Sequence, residues 1–207
     1  MFFSGAPSVM SENKVQRSMA DVEIVPDVIP IAPEIMLQVE FPSGVKAELG
    51  NELTPTQVKD QPTIRWDADP DSFYTLCMTD PDCPSRTESQ AREFHHWLVG
   101  NIPGSDISHG ETLTAFVGSG PPLSTGIHRY TILVYKQPSK LMFNEERINN
   151  RTAIRRELFS TNKFALKYNL GTPIAGNFYQ AQYDDYVPTV HKQLGIVIDT
   201  MLKKLRN

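Results

Sequence analysis

The sequence has little cysteine and no long apolar run. Among its 207 residues only Cys77 and Cys83 are cysteines, too few for a disulfide framework and without companion ligands at zinc-binding spacing. No apolar stretch reaches the roughly 18 residues that a membrane-spanning helix requires. Residues 1–16 also lack the basic start and apolar block of a secretory signal. Together these absences predict a cytoplasmic protein.

An excess of basic residues is also missing. Lys and Arg number 20 against 24 Asp and Glu, which gives a formal net charge of −4. Nucleic-acid binding uses a broad basic surface to neutralise phosphates, so we expect no nucleic-acid partner. Hydrophobic residues make up 40% of the chain and charged residues 21%. That balance is typical of a packed globular domain and argues against extensive disorder.

What the sequence has in quantity is β-forming segments. They predict strands over 35–41, 45–49, 63–66, 73–78, 93–102, 112–117, 128–136 and 173–184. Helical patterns are confined to a segment that begins near Thr161 and to an amphipathic segment over 189–206. The prediction is therefore a mainly β domain over 21–195 with a few peripheral helices.

The two ends of the chain read differently from this domain. Residues 1–20 are small, polar and aperiodic, which indicates a loose tail, and the proline-rich stretch 21–33 is expected to run extended along the surface. Residues 196–207 are predicted to form a helical extension with an apolar stripe and three cations. Packing on the sheet is the preferred role of that helix, and peripheral contact with an anionic membrane is the alternative.

A glycine-rich loop leads directly into one of the predicted strands. Residues 118–135 read GSGPPLSTGIHRYTILVY. The glycines leave backbone N–H groups accessible, the two prolines stiffen the loop, and His128 opens the β-forming run. Backbone N–H groups beside an imidazole suit an anion. This stretch therefore predicts an anion-binding site.

Two carboxylates and two adjacent histidines follow or occupy the other predicted strands. Asp80 and Asp82 flank a proline at the exit of the apolar segment 73–78, so their geometry is restricted. Regular alternation would put His95 with Trp97 on one face of a strand and His96 with Leu98 on the other. Only one of the two histidines can then point into a given pocket.

Arg129 follows His128 and should point to the opposite face of the same strand. In so apolar a segment we expect its guanidinium to bind a carboxylate in a bidentate pair, and Asp82 is the candidate.

These polar groups have two possible roles. In the first, Asp80, Asp82, His96 and His128 share one pocket with the N–H groups of Gly118–Gly120. That pocket would suit a zwitterionic head group better than a bare anion, which a buried carboxylate would repel. In the second, each aspartate caps a turn and each histidine fills a satisfied core position. Position along the sequence does not decide between them.

Three blocks of the sequence resemble a known family. DPDCPSR at 80–86, EFHHWL at 93–98 and GSGPPLSTGIHRY at 118–130 are similar to the signature blocks of animal-type phosphatidylethanolamine-binding proteins. The similarity extends from about Val25 to Leu194. The resemblance implies a large central, mostly antiparallel sheet, a smaller sheet on one side and helices on the other. It also implies cis peptide bonds at Cys83–Pro84 and Arg92–Glu93.

The same resemblance implies a small surface pocket that accepts phosphate-bearing groups such as phosphorylethanolamine. Its expected lining residues are Asp80, Asp82, His96, Gly118, Gly120, Pro122, His128 and Tyr130. Ala91 and His191 are expected at the rim, where relatives commonly carry tyrosines, and this difference bears on ligand preference. No cofactor is implied.

Regulation by binding is the function that the resemblance implies, and we expect a monomer. The leading hypothesis is a regulatory protein that binds phosphatidylethanolamine or another phosphate-bearing ligand. The alternative is an inhibitor of a kinase or serine protease, with the pocket as a control site. A metal-dependent or acid–base hydrolase is a weaker alternative, because the sequence has no H-x-x-x-H pair and no G-x-S-x-G motif. We therefore expect neither catalysis nor a metal site.

Overall fold

A computed structural model describes residues 13–196 of the chain. The helices are α1 (Lys14–Asp21), α2 (Ile24–Asp27), α3 (Thr161–Lys167) and α4 (Val187–Gln193), with a 3₁₀ helix over Ile107–His109. The strands are β1 (Ile35–Met36), β2 (Gln38–Glu40), β3 (Thr63–Arg65), β4 (Phe73–Asp80), β5 (Phe94–Pro103), β6 (Glu111–Thr114), β7 (His128–Lys136) and β8 (Ala175–Ala181). Within this described part, none of the helices combines the length and apolarity needed to cross a bilayer.

The strands form one large and one small sheet. The large sheet has six strands in the order β1-β8-β7-β4-β5-β6, and β2 pairs with β3 in the small one. The pairs of the large sheet are antiparallel except β1 with β8, which are parallel. The predicted mainly β fold, with a large and a smaller sheet, is confirmed.

The two faces of the large sheet bury different partners. Successive side chains of β4 point to opposite faces, so Leu76 packs in the cluster that includes Val39 and Ile64 of the small sheet. Cys77 packs in the cluster that includes Met19 of α1 and Phe164 of α3. The small sheet therefore covers one face and helices cover the other. Because both faces are covered, β4 and β7 are buried along nearly their whole length.

The prediction of a loose tail over 1–20 is wrong for residues 14–20, which belong to α1. Asn13 caps this helix: its side chain accepts a hydrogen bond from the Gln16 N–H, and the Gln16 side chain accepts one from the Asn13 N–H. Val15 and Met19 are buried. Residues 1–12 lie outside the described part of the chain.

The stretch 21–33 is not simply extended on the surface either. It contains the short helix α2, and Ile24, Val28 and Ile29 are buried in the core on the helical face of the sheet. A cis peptide bond joins Val25 to Pro26. The prolines mark turns here, while the aliphatic residues between them supply core contacts.

Two other predicted elements have different bounds in the structure. The strand over 35–41 is divided between β1 and β2, which join different sheets, and Leu37 between them is fully buried. Helix α4 begins at Val187 and ends at Gln193, and Gly195 follows with φ +68°. The predicted extension over 196–207 lies, from residue 197 onward, outside the described residues.

A bulge interrupts the pairing of β4 with β5 at His96. Trp97 pairs with Met78 and His95 pairs with Thr79, so His96 has no partner of its own on β4. An extra residue of this kind changes the direction of the side chains around it. His96 therefore lies on the Trp97 side, where it contacts the Tyr130 ring, and His95 lies on the Leu98 side. The prediction that His96 shares a face with Leu98 is wrong, because it assumed a regular strand.

Candidate functional site

A small hollow opens where β4, β5 and β7 meet α4. It contains about 370 Å³ of empty space, including the solvent at its mouth. Its lining residues are Asp80, Cys83, Phe94, His96, Gly120, Pro122, His128, Val190, His191, Leu194 and Ile196. Five of the residues that the sequence predicted for a pocket are among them: Asp80, His96, Gly120, Pro122 and His128. The predicted rim residue His191 also lines it.

A buried pair, Asp80 and His128, forms the polar end of the hollow. Asp80 ends β4 and His128 begins β7, and the antiparallel pairing of these strands brings the two ends together. His128 Nδ1 lies 2.8 Å from Asp80 Oδ2. The other oxygen, Oδ1, accepts a hydrogen bond of 2.7 Å from the Asp82 N–H. Asp80 is 4% exposed and His128 is 0% exposed, so water screens this pair very little.

The contacts of His128 identify it as an imidazolium. Its Nε2 lies 2.9 Å from Thr125 Oγ1, and the Thr125 hydroxyl donates to the Pro122 carbonyl at 2.7 Å. A hydroxyl has one proton, so Thr125 must accept from Nε2–H. Nδ1–H donates to the Asp80 carboxylate. Both ring nitrogens are therefore donors, as in the protonated form.

The pKa shifts agree with this assignment. Burial lowers the pKa of His128, but the charge and hydrogen bond of Asp80 outweigh it and raise the pKa above its usual value. For Asp80, burial raises the pKa, while the attraction and hydrogen bond of His128 outweigh that effect and leave the pKa lowered. The pair is consequently charged at neutral pH and is neutral in sum.

His96 stands beside this pair as an uncharged ring. Burial, partly offset by Asp80, lowers the pKa of His96 to about 4. Its Nδ1 lies 3.0 Å from the Val117 carbonyl and must carry the proton, so Nε2 of the neutral ring is an acceptor. His95 is directed elsewhere: its ring stacks on Phe159 with centroids 4.5 Å apart. As predicted, only one of the adjacent histidines enters the pocket.

Asp82 does not line the hollow, although the sequence placed it there. Arg129 binds the carboxylate of Asp82 with two hydrogen bonds: Nε donates to Oδ2 at 2.9 Å and Nη2 donates to Oδ1 at 2.6 Å. Arg129 Nη2 also donates to Asp27 at 2.7 Å. The predicted bidentate pair of Arg129 with Asp82 is confirmed. That pair turns the second carboxylate to the opposite side of the strand end from Asp80.

Three other predicted residues support the hollow without lining it. Gly118 packs on backbone, because a Cβ there would lie 3.0 Å from Lys59 Cα. Tyr130 is buried behind His96, with ring centroids 5.2 Å apart. Ala91 packs beside an apolar cluster that includes Phe94 and Val190. None of the three is among the lining residues. Gly118 supports the glycine loop, Tyr130 the floor of the hollow and Ala91 its apolar wall.

Helix α4 forms the apolar wall of the hollow. Val190 and Leu194 line it one helical turn apart, and His191 Nε2 donates to the Gly120 carbonyl at 2.9 Å. A Cβ at Gly120 would lie 3.1 Å from Val190 Cγ1. The glycine therefore lets the helix approach closely. Sequence reasoning missed Cys83, Phe94, Val190, Leu194 and Ile196 as lining residues, although the spacing of Val190 and Leu194 had indicated an apolar helix face.

The hollow thus combines charge of both signs with an apolar wall. Asp80 can attract a cation, His128 can attract an anion, and His96 can accept a hydrogen bond. Within residues 13–196, no three or more His, Cys, Asp and Glu residues are grouped so as to hold a metal ion. Binding of a small polar group is the chemistry that this arrangement serves best.

Comparisons with known proteins agree on a single family. The family model described as phosphatidylethanolamine-binding protein matches residues 42–180. The chain is 39% identical over 193 residues to "Putative odorant-binding protein A5" of Drosophila melanogaster, and the match covers 93% of the chain and 92% of that protein. It is 46% identical over 161 residues to the 26 kDa secreted antigen of Toxocara canis, covering 77% and 61% respectively.

Solved structures show the same likeness. A carboxypeptidase Y inhibitor, determined in complex with its cognate proteinase, has 26% identity and a TM-score of 0.71 over 82% of this chain and 95% of the inhibitor. The solution structure of CG7054 has 46% identity and a TM-score of 0.69 over 83% and 97%. These relatives are named as a binding protein, an antigen and an inhibitor, and none of these names is that of an enzyme.

The relatives contradict the predicted cytoplasmic location. One is named a secreted antigen and another a putative odorant-binding protein, and these names indicate secretion rather than a cytoplasmic location. The cytoplasmic prediction depended on two absences, few cysteines and no recognisable signal, and neither of them excludes export.

The family is settled by several independent matches. The family model covers more than half of the chain, a relative 39% identical spans nearly all of it, and the strands bring together the residues of the three signature blocks. The chain belongs to the phosphatidylethanolamine-binding protein family.

Proposed function

We propose that the protein binds a phosphate-bearing group, with a phosphorylethanolamine-type head group as the favoured ligand, and acts by binding rather than by catalysis. The observation that carries this proposal is the buried Asp80–His128 pair at the end of an otherwise apolar hollow. A zwitterionic ligand places an anion and a cation close together. Such a ligand complements a site that holds one charge of each sign.

Each part of the ligand has a partner in the hollow. The imidazolium of His128, beside the glycine loop at Gly120, attracts the phosphate oxygens. The carboxylate of Asp80 attracts the ammonium group, and the neutral ring of His96 accepts a further hydrogen bond. The apolar wall of α4 excludes water from one side, which strengthens these electrostatic contacts.

Titration followed by NMR tests the proposal. Phosphorylethanolamine should shift the signals of Gly118, Gly120, His96 and His128, and inorganic phosphate should do so more weakly. Asp80→Asn should weaken phosphorylethanolamine about tenfold or more, because a charge-assisted contact contributes about 1.5–3 kcal/mol. Asp69→Asn, on the surface, is the control. If only residues remote from the hollow shift, the protein does not bind this ligand there.

A second candidate function is inhibition of a proteinase or kinase. The similarity to a carboxypeptidase Y inhibitor, at 26% identity and a TM-score of 0.71, favours a proteinase. Activity of carboxypeptidase Y and of a panel of kinases would be measured with increasing protein. Inhibition that persists in the double variant Asp80→Asn, His128→Gln would assign inhibition to another surface. Inhibition lost in that variant would make the hollow a control site.

We propose an extracellular setting for the protein, which is compatible with ligand binding and with inhibition of a proteinase. It is supported by the names of the secreted and odorant-binding relatives. Immunodetection of the endogenous full-length protein in medium and in cell extract, beside a cytosolic marker, tests it. Protein retained with the marker in the cells would refute export.

A further inference from the structure

Arg156 is a fully buried guanidinium that binds backbone carbonyls. Its exposure is 0%. Nε donates to the Thr152 carbonyl at 2.9 Å, Nη1 donates to the carbonyls of His95 at 3.0 Å and His96 at 3.3 Å, and Nη2 donates to those of Ala115 and Asn149 at 2.8 Å each. A guanidinium has five N–H donors, and all five are used.

No carboxylate accompanies this charge among the salt bridges of the described residues, which makes it unlike Arg129. Burial lowers the pKa of Arg156 to about 10, so the group is still a cation at neutral pH. A buried charge is costly unless its hydrogen bonds are satisfied. Here backbone carbonyls alone satisfy the hydrogen bonds of the buried guanidinium. Because burying this charge is costly, its presence indicates that the position requires a side chain whose donors point in several directions.

The carbonyls that Arg156 binds belong to three separate segments. Two come from the bulge of β5, one from the chain just after β6, and two from the loop that contains Asn149 and Thr152. The backbone carbonyl of Arg156 also accepts from the His95 N–H at 2.9 Å. Arg156 therefore binds the backbone on both sides of His95, through the N–H that precedes its Cα and the carbonyl that follows it.

His96 is the extra residue of that bulge and a wall of the hollow. A bulge loses ladder hydrogen bonds, and without other partners it can relax into a regular strand. Regular alternation would return His96 to the Leu98 face, away from Asp80. The guanidinium supplies donors to the carbonyls of both histidines, which favours the bulged form.

We propose that Arg156 is the positioning residue of the hollow: its guanidinium fixes the bulge of β5 and thereby holds the His96 imidazole in the site. Arg156 does not line the hollow, and all of its side-chain hydrogen bonds go to backbone carbonyls. The positive charge behind His96 adds to the effect of burial in keeping that ring neutral. The inference extends the proposed function, since it identifies what orients one of the binding groups.

Arg156→Lys is the principal test, because lysine keeps the charge but has one nitrogen that cannot reach both groups of carbonyls. We expect His96 to leave its position, so that its ring pKa, measured by NMR, rises from about 4 toward 6.5. Binding of phosphorylethanolamine should weaken about tenfold. Removing the hydrogen-bond partners that orient metal-binding side chains typically weakens metal affinity by about 10–100-fold, and we expect the lower end of that range here. Arg151→Lys, an exposed neighbour, should change neither quantity.

The outcomes separate positioning from simple stabilisation. If Arg156→Lys lowers the unfolding midpoint but leaves the pKa of His96 and the affinity of the folded protein unchanged, the proposal is overturned. If wild-type protein does not bind phosphorylethanolamine, the proposed function fails, and the pKa and the His96–Tyr130 ring contact still decide the role of Arg156.

A measurement on the wild type remains if the variant does not fold. Five fixed hydrogen bonds should slow rotation of the Arg156 guanidinium, giving separate Nη proton signals at neutral pH. Filling the hollow with phosphorylethanolamine should shift these signals together with those of His96. Averaged Nη signals, or signals that ignore the ligand while those of His96 move, would overturn the proposal.

Discussion

At the scale of single residues, two neighbouring carboxylates have opposite surroundings. Asp80 pairs with His128 and Asp82 pairs with Arg129, so the order of the acids along the end of β4 matches the order of the bases at the start of β7. Alternation along β7 sends its two bases to opposite faces. One pair therefore enters the hollow, and the other ties β7 to the loop after β4.

The pair of Arg129 with Asp82 should contribute strongly to stability. Replacing Arg129 with Met leaves the Asp82 carboxylate, which is 1% exposed, without its partner. Breaking a buried pair in this way typically costs about 3–5 kcal/mol of unfolding free energy. Urea denaturation measures the change.

Arg86→Met is the matched control, because Arg86 pairs with Glu23 on the surface with side-chain exposures of 41% and 71%. An exposed pair contributes about 1 kcal/mol or less. Equal losses in the two variants would show that burial of Arg129 does not matter.

Ligand binding should weaken at alkaline pH. The pKa of His128 is raised above 6.5, so the imidazolium still predominates at pH 6.5 and is lost as the pH rises through the higher value of the folded protein. The affinity for inorganic phosphate, measured between pH 6 and 9, should fall with that titration. Asp80→Asn removes the main cause of the shift and should move the fall to lower pH. An affinity independent of pH across this range would contradict a role for His128.

At the scale of elements, the close approach of α4 to the glycine loop shapes the hollow. Gly120→Val would place methyl groups against Val190, since even a Cβ lies 3.1 Å from Val190 Cγ1. We expect α4 to shift, the hydrogen bond between His191 and the Gly120 carbonyl to break, and phosphorylethanolamine binding to be lost. Chemical shifts of the His191 ring and an NMR titration measure both effects.

Gly126→Ala is the control in the same loop, because a Cβ there meets nothing within 4 Å. Its φ of +79° makes the substitution cost about 1–2 kcal/mol of stability, but the hollow should keep its shape. A Gly120→Val variant that binds as well as Gly126→Ala would show that α4 does not define the site.

The helix α1 should behave as part of the folded core. Met19 is 0% exposed and packs with Phe164 and Leu133 in one cluster. Met19→Ala should therefore lower the unfolding free energy by about 2–5 kcal/mol, whereas Lys14→Ala, at an exposed position of the same helix, should have little effect. Thermal or urea unfolding compares them. If Met19→Ala leaves the unfolding free energy unchanged, residues 14–20 are not part of the folded core.

At the scale of the whole molecule, two buried histidines make the free energy of unfolding decrease at acidic pH. His95 and His96 each have a pKa lowered to about 4, chiefly by burial, against 6.5 in the unfolded chain. The unfolded state binds protons first as the pH falls, so stability is full above pH 6.5 and is lost between 6.5 and 4. Each histidine accounts for up to about 3 kcal/mol, at about 1.4 kcal/mol for one pH unit.

Urea midpoints at pH 7.5, 5.5 and 4.5 measure this loss, and His95→Gln should remove roughly half of it. The pair of Asp80 with His128 does not add to it in this range. Its aspartate stays ionised because the pKa of Asp80 is lowered, and the raised pKa of His128 stabilises the folded protein fully below pH 6.5. Midpoints that stay constant from pH 5.5 to 4.5, where His128 no longer changes its contribution, would mean that neither histidine is held neutral.

Much of the strand framework could be predicted because it depends on local pattern. Segments such as 73–78 and 128–136 are rich in β-forming residues, and they form most of β4 and all of β7. The capping box of Asn13 and Gln16 is also a local sequence pattern, and it marks the start of α1. The prediction of a tail did not take this pattern into account. Short elements such as β1 and β2 depend on distant partners, and the sequence showed them as one strand.

The sequence by itself determined the family, the mainly β fold, the loop that carries His128 and the opposite directions of His128 and Arg129, because each depends on neighbours along the chain or on strict alternation. Only the tertiary structure decided that Asp82 leaves the hollow, that His96 enters it at a bulge, and that α4 closes its wall. These features arise where segments distant in sequence compete for the same buried hydrogen bonds and space. Arg156 is the clearest example of a feature that only the tertiary structure decides. Five carbonyls from three segments accept hydrogen bonds from it, and no local sequence pattern predicts these contacts.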